Sequence, residues 1–386
     1  MSIEVVPVGE AATEGQVAGL HLVDPDSGVV VATGRTGPFR SHVRLNSVRI
    51  ASSAVVLVCV TAVLWANRGE LPVVGQVLGG AQRGWLVGGV LLLGCWWVAW
   101  VLLHAASRRA LGVGGYAETG RLIPVTLAAV ALNLAVKSGG LAGLAAFAAD
   151  ARRRDLPRGP VSGAYLLAAA FADVGFIVTL AAAVTVTWMN AQLTRPEVAA
   201  VALFVVLLVM RVVVLGAALR SRDALRRMWT MPARLWDWLR RGPRRHPDTV
   251  TADELYEAVS LVRARPRLAL PALGFAIGVD VVGAAMLWAA LAAVGGGNRP
   301  AVALVAYAIS GVFGVVGVLP GGVGFVELSA AAVLVCFGTP TAVAGAAVVL
   351  FRVWEFWLPL ALGAPVAGWL RRQPHTGTAR ESTVRL

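Results

Sequence analysis

Val316-Gly317-Val318-Leu319-Pro320-Gly321-Gly322-Val323-Gly324-Phe325-Val326-Glu327 interrupts an apolar run with one proline and three glycines inside five residues, then sets a carboxylate just beyond them. Pro320 removes a backbone donor and the glycines admit positive φ, so a helix entering this stretch has to break. In hydrocarbon, irregular backbone is tolerated only where protein buries it or where it lines a polar cavity. The stretch therefore reads as the working centre of an integral membrane protein.

Composition agrees. The 386-residue chain is 58% hydrophobic and 14% charged, against about 45–50% and about 25% in a soluble domain. Residues 1–44 contain no apolar h-region, so no cleavable signal peptide is expected. That stretch is polar, carries Glu4, Glu10, Glu14, Asp24 and Asp26, and is predicted to be a disordered cytoplasmic tail. Cys59, Cys95 and Cys336 are scattered through apolar runs and form neither a disulfide framework nor a metal-ligand spacing. No phosphate-binding Gly-x4-Gly-Lys-Ser/Thr motif, nucleophile–base spacing or histidine cluster occurs. The expectation is a protein without catalytic residues, metal or cofactor, not an enzyme.

A span needs ~20 apolar residues to cross a ~30 Å core. Leu45–Trp65, Trp85–Ala106, Val161–Trp188, Val198–Leu219, Leu268–Val294 and Thr341–Leu370 meet that length. Two further segments do not read as simple spans. Leu122–Ala149 is interrupted at Lys137-Ser138-Gly139-Gly140, and Ala301–Phe337 is interrupted at Pro320-Gly321-Gly322. Basic residues decide how these count, because they gather on the cytoplasmic side. If both segments enter and return on the same face, twelve arginines of 220–267 lie inside with Arg152, Arg153, Arg154 and Arg158, while Arg68, Arg83, Arg195 and Arg299 lie outside. Letting 122–149 cross instead moves the first two groups outside.

The expected architecture is thus an all-α polytopic membrane domain over 45–370, with six full spans and two re-entrant broken-helix hairpins. Its halves run span, hairpin, span in opposite senses, an inverted-repeat arrangement typical of transporters. The loop 220–267 is cytoplasmic and basic, and residues 371–386 form a cytoplasmic tail. In the loop, Trp229, Trp236 and Trp238 alternate with Arg234, Arg240 and Arg241, which suits anionic lipid at the membrane surface better than nucleic acid.

Ionisable groups at membrane depth are costly and each is a functional candidate. Lys137, the chain's only lysine, stands at the first break, and Glu327 follows the second. Arg352 and Glu355 share one helix face at i, i+3. Freed amides and the positive end of a half-helix favour an anion such as phosphate, which Arg352 would grip bidentately and Lys137 as a point charge. Gly321 and Gly322 supply the backbone of that site. Asn133 either satisfies freed backbone groups or touches the ligand. Asp173, Asp280 and Arg211 are coupling groups or internal ion pairs. His104, at a span end, reads as an interfacial side chain, and Trp354 and Trp357 as belt residues or cavity lining.

Leu319-Pro320-Gly321-Gly322-Val323-Gly324-Phe325-Val326-Glu327, the Gly338-Thr339-Pro340 turn and Leu350-Phe351-Arg352-Val353-Trp354-Glu355-Phe356-Trp357-Leu358-Pro359 resemble the lysylphosphatidylglycerol synthase transmembrane region family, a flippase-like membrane module. Asn133 through Gly140 and the segment ending in Asp173 are similar to that family's first block, although Lys137-Ser138-Gly139-Gly140-Leu141 lacks its proline and acid. Full-length members carry a cytosolic aminoacyltransferase domain after the membrane part, and this chain stops at Leu386. The resemblance therefore implies lipid translocation without lipid synthesis. On this reading the protein moves a phospholipid or polyprenyl lipid with a phosphate-containing head group across the cell membrane, N- and C-termini cytoplasmic, and self-association into a homo-oligomer is left open. The alternatives are a secondary transporter of a small anion and a non-transporting membrane partner of cell-envelope enzymes.

Overall fold

The computed structural model describes residues 71–189, 221–224, 226–227, 253, 256, 260, 266–316 and 320–373. The expected spans 45–65 and 198–219, Arg211 and both tails lie outside the described residues. Among those described there is no strand. A short helix α1 (Leu71–Gly79) leads into α2 (Arg83–Ala110), which at 28 residues gives about 42 Å of helix and exceeds a ~30 Å hydrocarbon core.

The segment expected to break then does so. α3 (Thr119–Ala135) and α4 (Leu141–Arg153) are separated by an extended Val136 and by Gly139 and Gly140 at φ +62° and +91°. Their 17 and 13 residues make about 26 and about 20 Å of helix, so neither arm alone spans the core. α5 (Arg158–Met189) follows as a second full-length helix.

The second half repeats this order. α6 (Leu270–Ala293) is long, and α7 (Pro300–Val316) and α8 (Phe325–Cys336) are again short arms, with a 3-10 turn, Pro320–Gly322, ahead of α8. The final apolar stretch was expected to be one continuous helix. It is α9 (Thr341–Arg352), a π-helical turn (Val353–Trp357) and α10 (Leu358–Arg372). Pro359 explains the turn: it has no N–H for the carbonyl of Glu355, and its ring pushes that carbonyl aside, so the ladder widens by one residue. Among the described residues four stretches, Arg83–Ala110, Arg158–Met189, Pro266–Ala293 and Thr341–Arg372, are long and apolar enough to cross a membrane.

Packing ties the halves together reciprocally. The two leading helices, α2 and α6, lie against one another at the centre. α5 of the first half packs on α7 of the second, and α10 of the second packs on α3 of the first. α6 is apolar on every face except at Asp280 and is the most enclosed of the long helices, with Met286, Leu287, Ala290 and Leu291 fully buried. Small residues set the crossings, as they do where lipid offers no hydrophobic contrast. A methyl group on Gly175 of α5 would sit 2.9 Å from the Ala276 carbonyl carbon of α6.

Little of the basic loop is described. Arg226 holds Asp253 in a fork, Nε to Oδ1 at 2.8 Å and Nη2 to Oδ2 at 2.6 Å, while Arg222 stands over the Tyr256 ring. The Arg226 hydrogen bond keeps the Asp253 carboxyl below the usual carboxylate range.

Candidate functional site

The second break is built around Arg352. Its guanidinium is 3% exposed and donates three hydrogen bonds: Nε to Glu327 Oε1 at 2.8 Å, Nη1 to Glu355 Oε2 at 2.6 Å and Nη2 to the Gly321 carbonyl at 2.8 Å. The Phe356 ring covers it, 4.5 Å away. Glu327 has a second task, since its Oε2 accepts the Gly324 N–H at 2.7 Å and caps α8. One arginine thus binds α8, the 3-10 turn and the π turn into a single knot.

The first break is closed by neutral groups. Asn133 Oδ1 accepts the Gly143 N–H at 2.8 Å, and Ser138 Oγ accepts that of Ala142 at 2.9 Å. The Leu141 and Leu144 amides go to the carbonyls of Ser138 and Gly140. The four donors that open α4 are therefore all taken, and this helix end does not present the free amides that the sequence led us to expect. Asn133 Nδ2 also donates to Tyr165 Oη at 2.9 Å, whose hydroxyl donates to the Gly140 carbonyl at 2.9 Å. Of the two roles open to Asn133, satisfying the backbone is the one its hydrogen bonds perform. Asn133→Leu would strand the Gly143 donor at membrane depth, at a cost of about 1–3 kcal/mol. A lowered thermal midpoint of the detergent-solubilised protein checks this.

The two breaks touch. Lys137, exposed, donates from Nζ to the Gly314 carbonyl of α7 at 2.7 Å. Gly314 in turn packs on Gly322, where a methyl group would fall 2.8 Å from the Gly314 Cα. α3 itself reaches the Pro320–Gly322 turn. Lys137 and Arg352 therefore stand at opposite ends of one chain of contacts through Gly314, Gly322 and Gly321.

Neither of them lines the cavity, and here the structure departs from the sequence expectation of a cationic pocket. A cavity of about 730 Å³ lies between α2, α3, α4, α5, α6, α7 and the π turn. Its polar wall consists of Asn133, Tyr165, Asp173, Asp280, Tyr307 and Glu355, with the backbone of Gly139 and Gly140. Among the described residues no lysine or arginine contributes, and three carboxylates do. Tyr307 Oη donates to Asp280 Oδ1 at 3.1 Å. Glu355 connects the knot to the cavity, holding Arg352 from behind while it faces the interior.

The aromatic wall comes from α2 and α5. Trp96, Trp100 and His104 follow one another at helical spacing, and the His104 ring lies parallel to Tyr165 at 5.6 Å. His104 was expected at the interface. It is 4% exposed, because α4 folds back and places Phe147 over it at 4.6 Å. Trp354 is buried in the core against Gly89, Trp357 is exposed, and neither faces the cavity. Leu141 lines the cavity and is 55% exposed, so the cavity wall reaches the surface at the first break, where Val136 is also exposed. The wall is thus mostly apolar, and its carboxyl and hydroxyl groups are the hydrogen-bonding groups it offers.

The family model described as lysylphosphatidylglycerol synthase TM region matches residues 47–363. The chain belongs to this family. The matched region contains both breaks, the Arg352 knot and every residue of the cavity described above. A UPF0104 membrane protein from Methanothermobacter thermautotrophicus is 36% identical over 61 residues, which is 16% of this chain and 18% of that protein. The chain is thus a multi-pass membrane protein of a lipid-related membrane family.

Proposed function

We propose that the protein moves a lipid with a phosphate-containing head group between the leaflets of the cell membrane, with both termini cytoplasmic and the two broken pairs re-entering from opposite faces. One observation carries this reading: a largely apolar cavity with a few polar side chains is lined at the first break by Gly139, Gly140 and the exposed, apolar Leu141, in the same connection as the exposed Val136 and Lys137. A lipid needs that combination. Its tails remain in hydrocarbon outside the rim, its phosphate meets the Lys137 ammonium, and the rest of its head group enters the cavity. A water-soluble anion has no use for an apolar rim and meets three carboxylates inside, so that alternative is the weaker one. Movement needs no bond to be made or broken, and we assign the domain no catalytic step. The basic loop 220–267 rests on anionic lipid.

The test is leaflet exchange of tail-labelled lipids in liposomes carrying the purified protein. Exchange faster than in empty liposomes is expected for at least one lipid among anionic, aminoacylated and polyprenyl phosphate types. Ala169, small and on the cavity wall, provides the control. Ala169→Trp fills the space and returns exchange to the empty-liposome rate while the protein elutes and melts as before. Wild-type rates equal to empty liposomes for every lipid would overturn the proposal.

A further inference from the structure

Asp280 sits in the middle of α6, 7% exposed, and faces the cavity. Its hydrogen-bond partner is the Tyr307 hydroxyl. No cation reaches it among the described residues: Arg352 is occupied by Glu327, Glu355 and Gly321, and Lys137 donates to Gly314. Among the described residues, the charged and titratable groups that face it are Asp173 from α5, Tyr307 from α7 and Glu355 from the π turn, with Arg352 of α9 behind Glu355. Arg267 belongs to the 3-10 turn that precedes α6, away from the cavity. From α2, His104 lines the same space, nine-tenths buried, with Nδ1 lacking a hydrogen-bond partner.

An ionised carboxyl held by one hydroxyl, with carboxylates for neighbours, is expensive away from water. A neutral carboxyl in the same place is not, and its O–H gains a donor role. When the cavity is open to water the charged form is solvated; when it is shut the charged form is not. Metal ions fit less well, since no group of three or more metal-ligating side chains is found among the described residues.

We propose that Asp280 is a proton-binding site, loaded and unloaded through the cavity, that couples lipid movement to a proton. The coupling rests on the translocation reading; the proton site does not. Two measurements keep them apart. Infrared spectra of the membrane-reconstituted full chain, taken from alkaline to acid pH, should show a protonated-carboxyl carbonyl band that grows on acidification. The band should vanish in Asp280→Asn, shift in Asp280→Glu and persist in Asp223→Asn, a change at an exposed loop residue. A band unaffected by Asp280→Asn overturns the site. In liposomes with an imposed pH difference, one proton per lipid gives about tenfold leaflet asymmetry per pH unit at steady state, and Asp280→Asn abolishes it. Leaflet exchange that proceeds in the wild type without asymmetry, or equal asymmetry in Asp280→Asn, overturns the coupling. Absence of exchange for every lipid overturns the translocation reading and the coupling with it, and the infrared result decides the site alone.

Discussion

Arg352→Leu is expected to unfold the second break. The substitution leaves Glu327 and Glu355 facing one another without their shared cation and strands the Gly321 carbonyl. Removing one partner from a buried ion pair costs about 3–5 kcal/mol, because the remaining charge keeps its desolvation penalty. The thermal midpoint in detergent should fall steeply, and leaflet exchange should be lost with it. Arg352→Lys should recover little, since a single ammonium cannot reach three acceptors in the planar fork arrangement. The triple change Arg352→Leu, Glu327→Gln and Glu355→Gln should recover more, because replacing a whole buried ion pair by neutral groups is often close to neutral. An Arg352→Leu midpoint equal to the wild type would mean that the guanidinium does not hold these elements together.

Gly321→Ala should be the second large effect. Gly321 adopts φ +61°, where an L-residue is strained, and a Cβ there overlaps the Phe356 ring that covers Arg352. Strained backbone contributes about 1–3 kcal/mol and forced overpacking about 1–3 kcal/mol more. Gly338 separates the two terms, since it has φ +80° but open space around its Cβ position. Gly338→Ala therefore reports the backbone cost alone. The midpoint of Gly321→Ala should lie clearly below that of Gly338→Ala, and equal midpoints would show that the Phe356 contact carries no weight.

Much of the architecture is legible in the sequence. Proline and glycine act locally, so Pro320-Gly321-Gly322 and Gly139-Gly140 announced their breaks, and both occur where the residues require them. Arg352 and Glu355 meet because i, i+3 on a helix is a local relation, and it survives the π turn that Pro359 forces on the ladder. Apolar length alone marked the four described stretches that are long enough to cross a bilayer. The family could also be recognised from contiguous motifs.

What surrounds each charge was not readable. Arg352 and Lys137 were expected to line a pocket, yet Arg352 is enclosed by Glu327, twenty-five residues away, and Lys137 reaches Gly314, 177 residues away. His104 is covered by Phe147 only because α4 folds back, and Asp280 meets Tyr307 only because α6 and α7 pack with those faces together. A residue's sequence neighbours fix its backbone options; its electrostatic partners come from helices that approach from elsewhere in the chain. The order of helices and the places where they break were therefore set by the sequence itself, while the acidic character of the cavity was decided by which faces the tertiary packing turned inward.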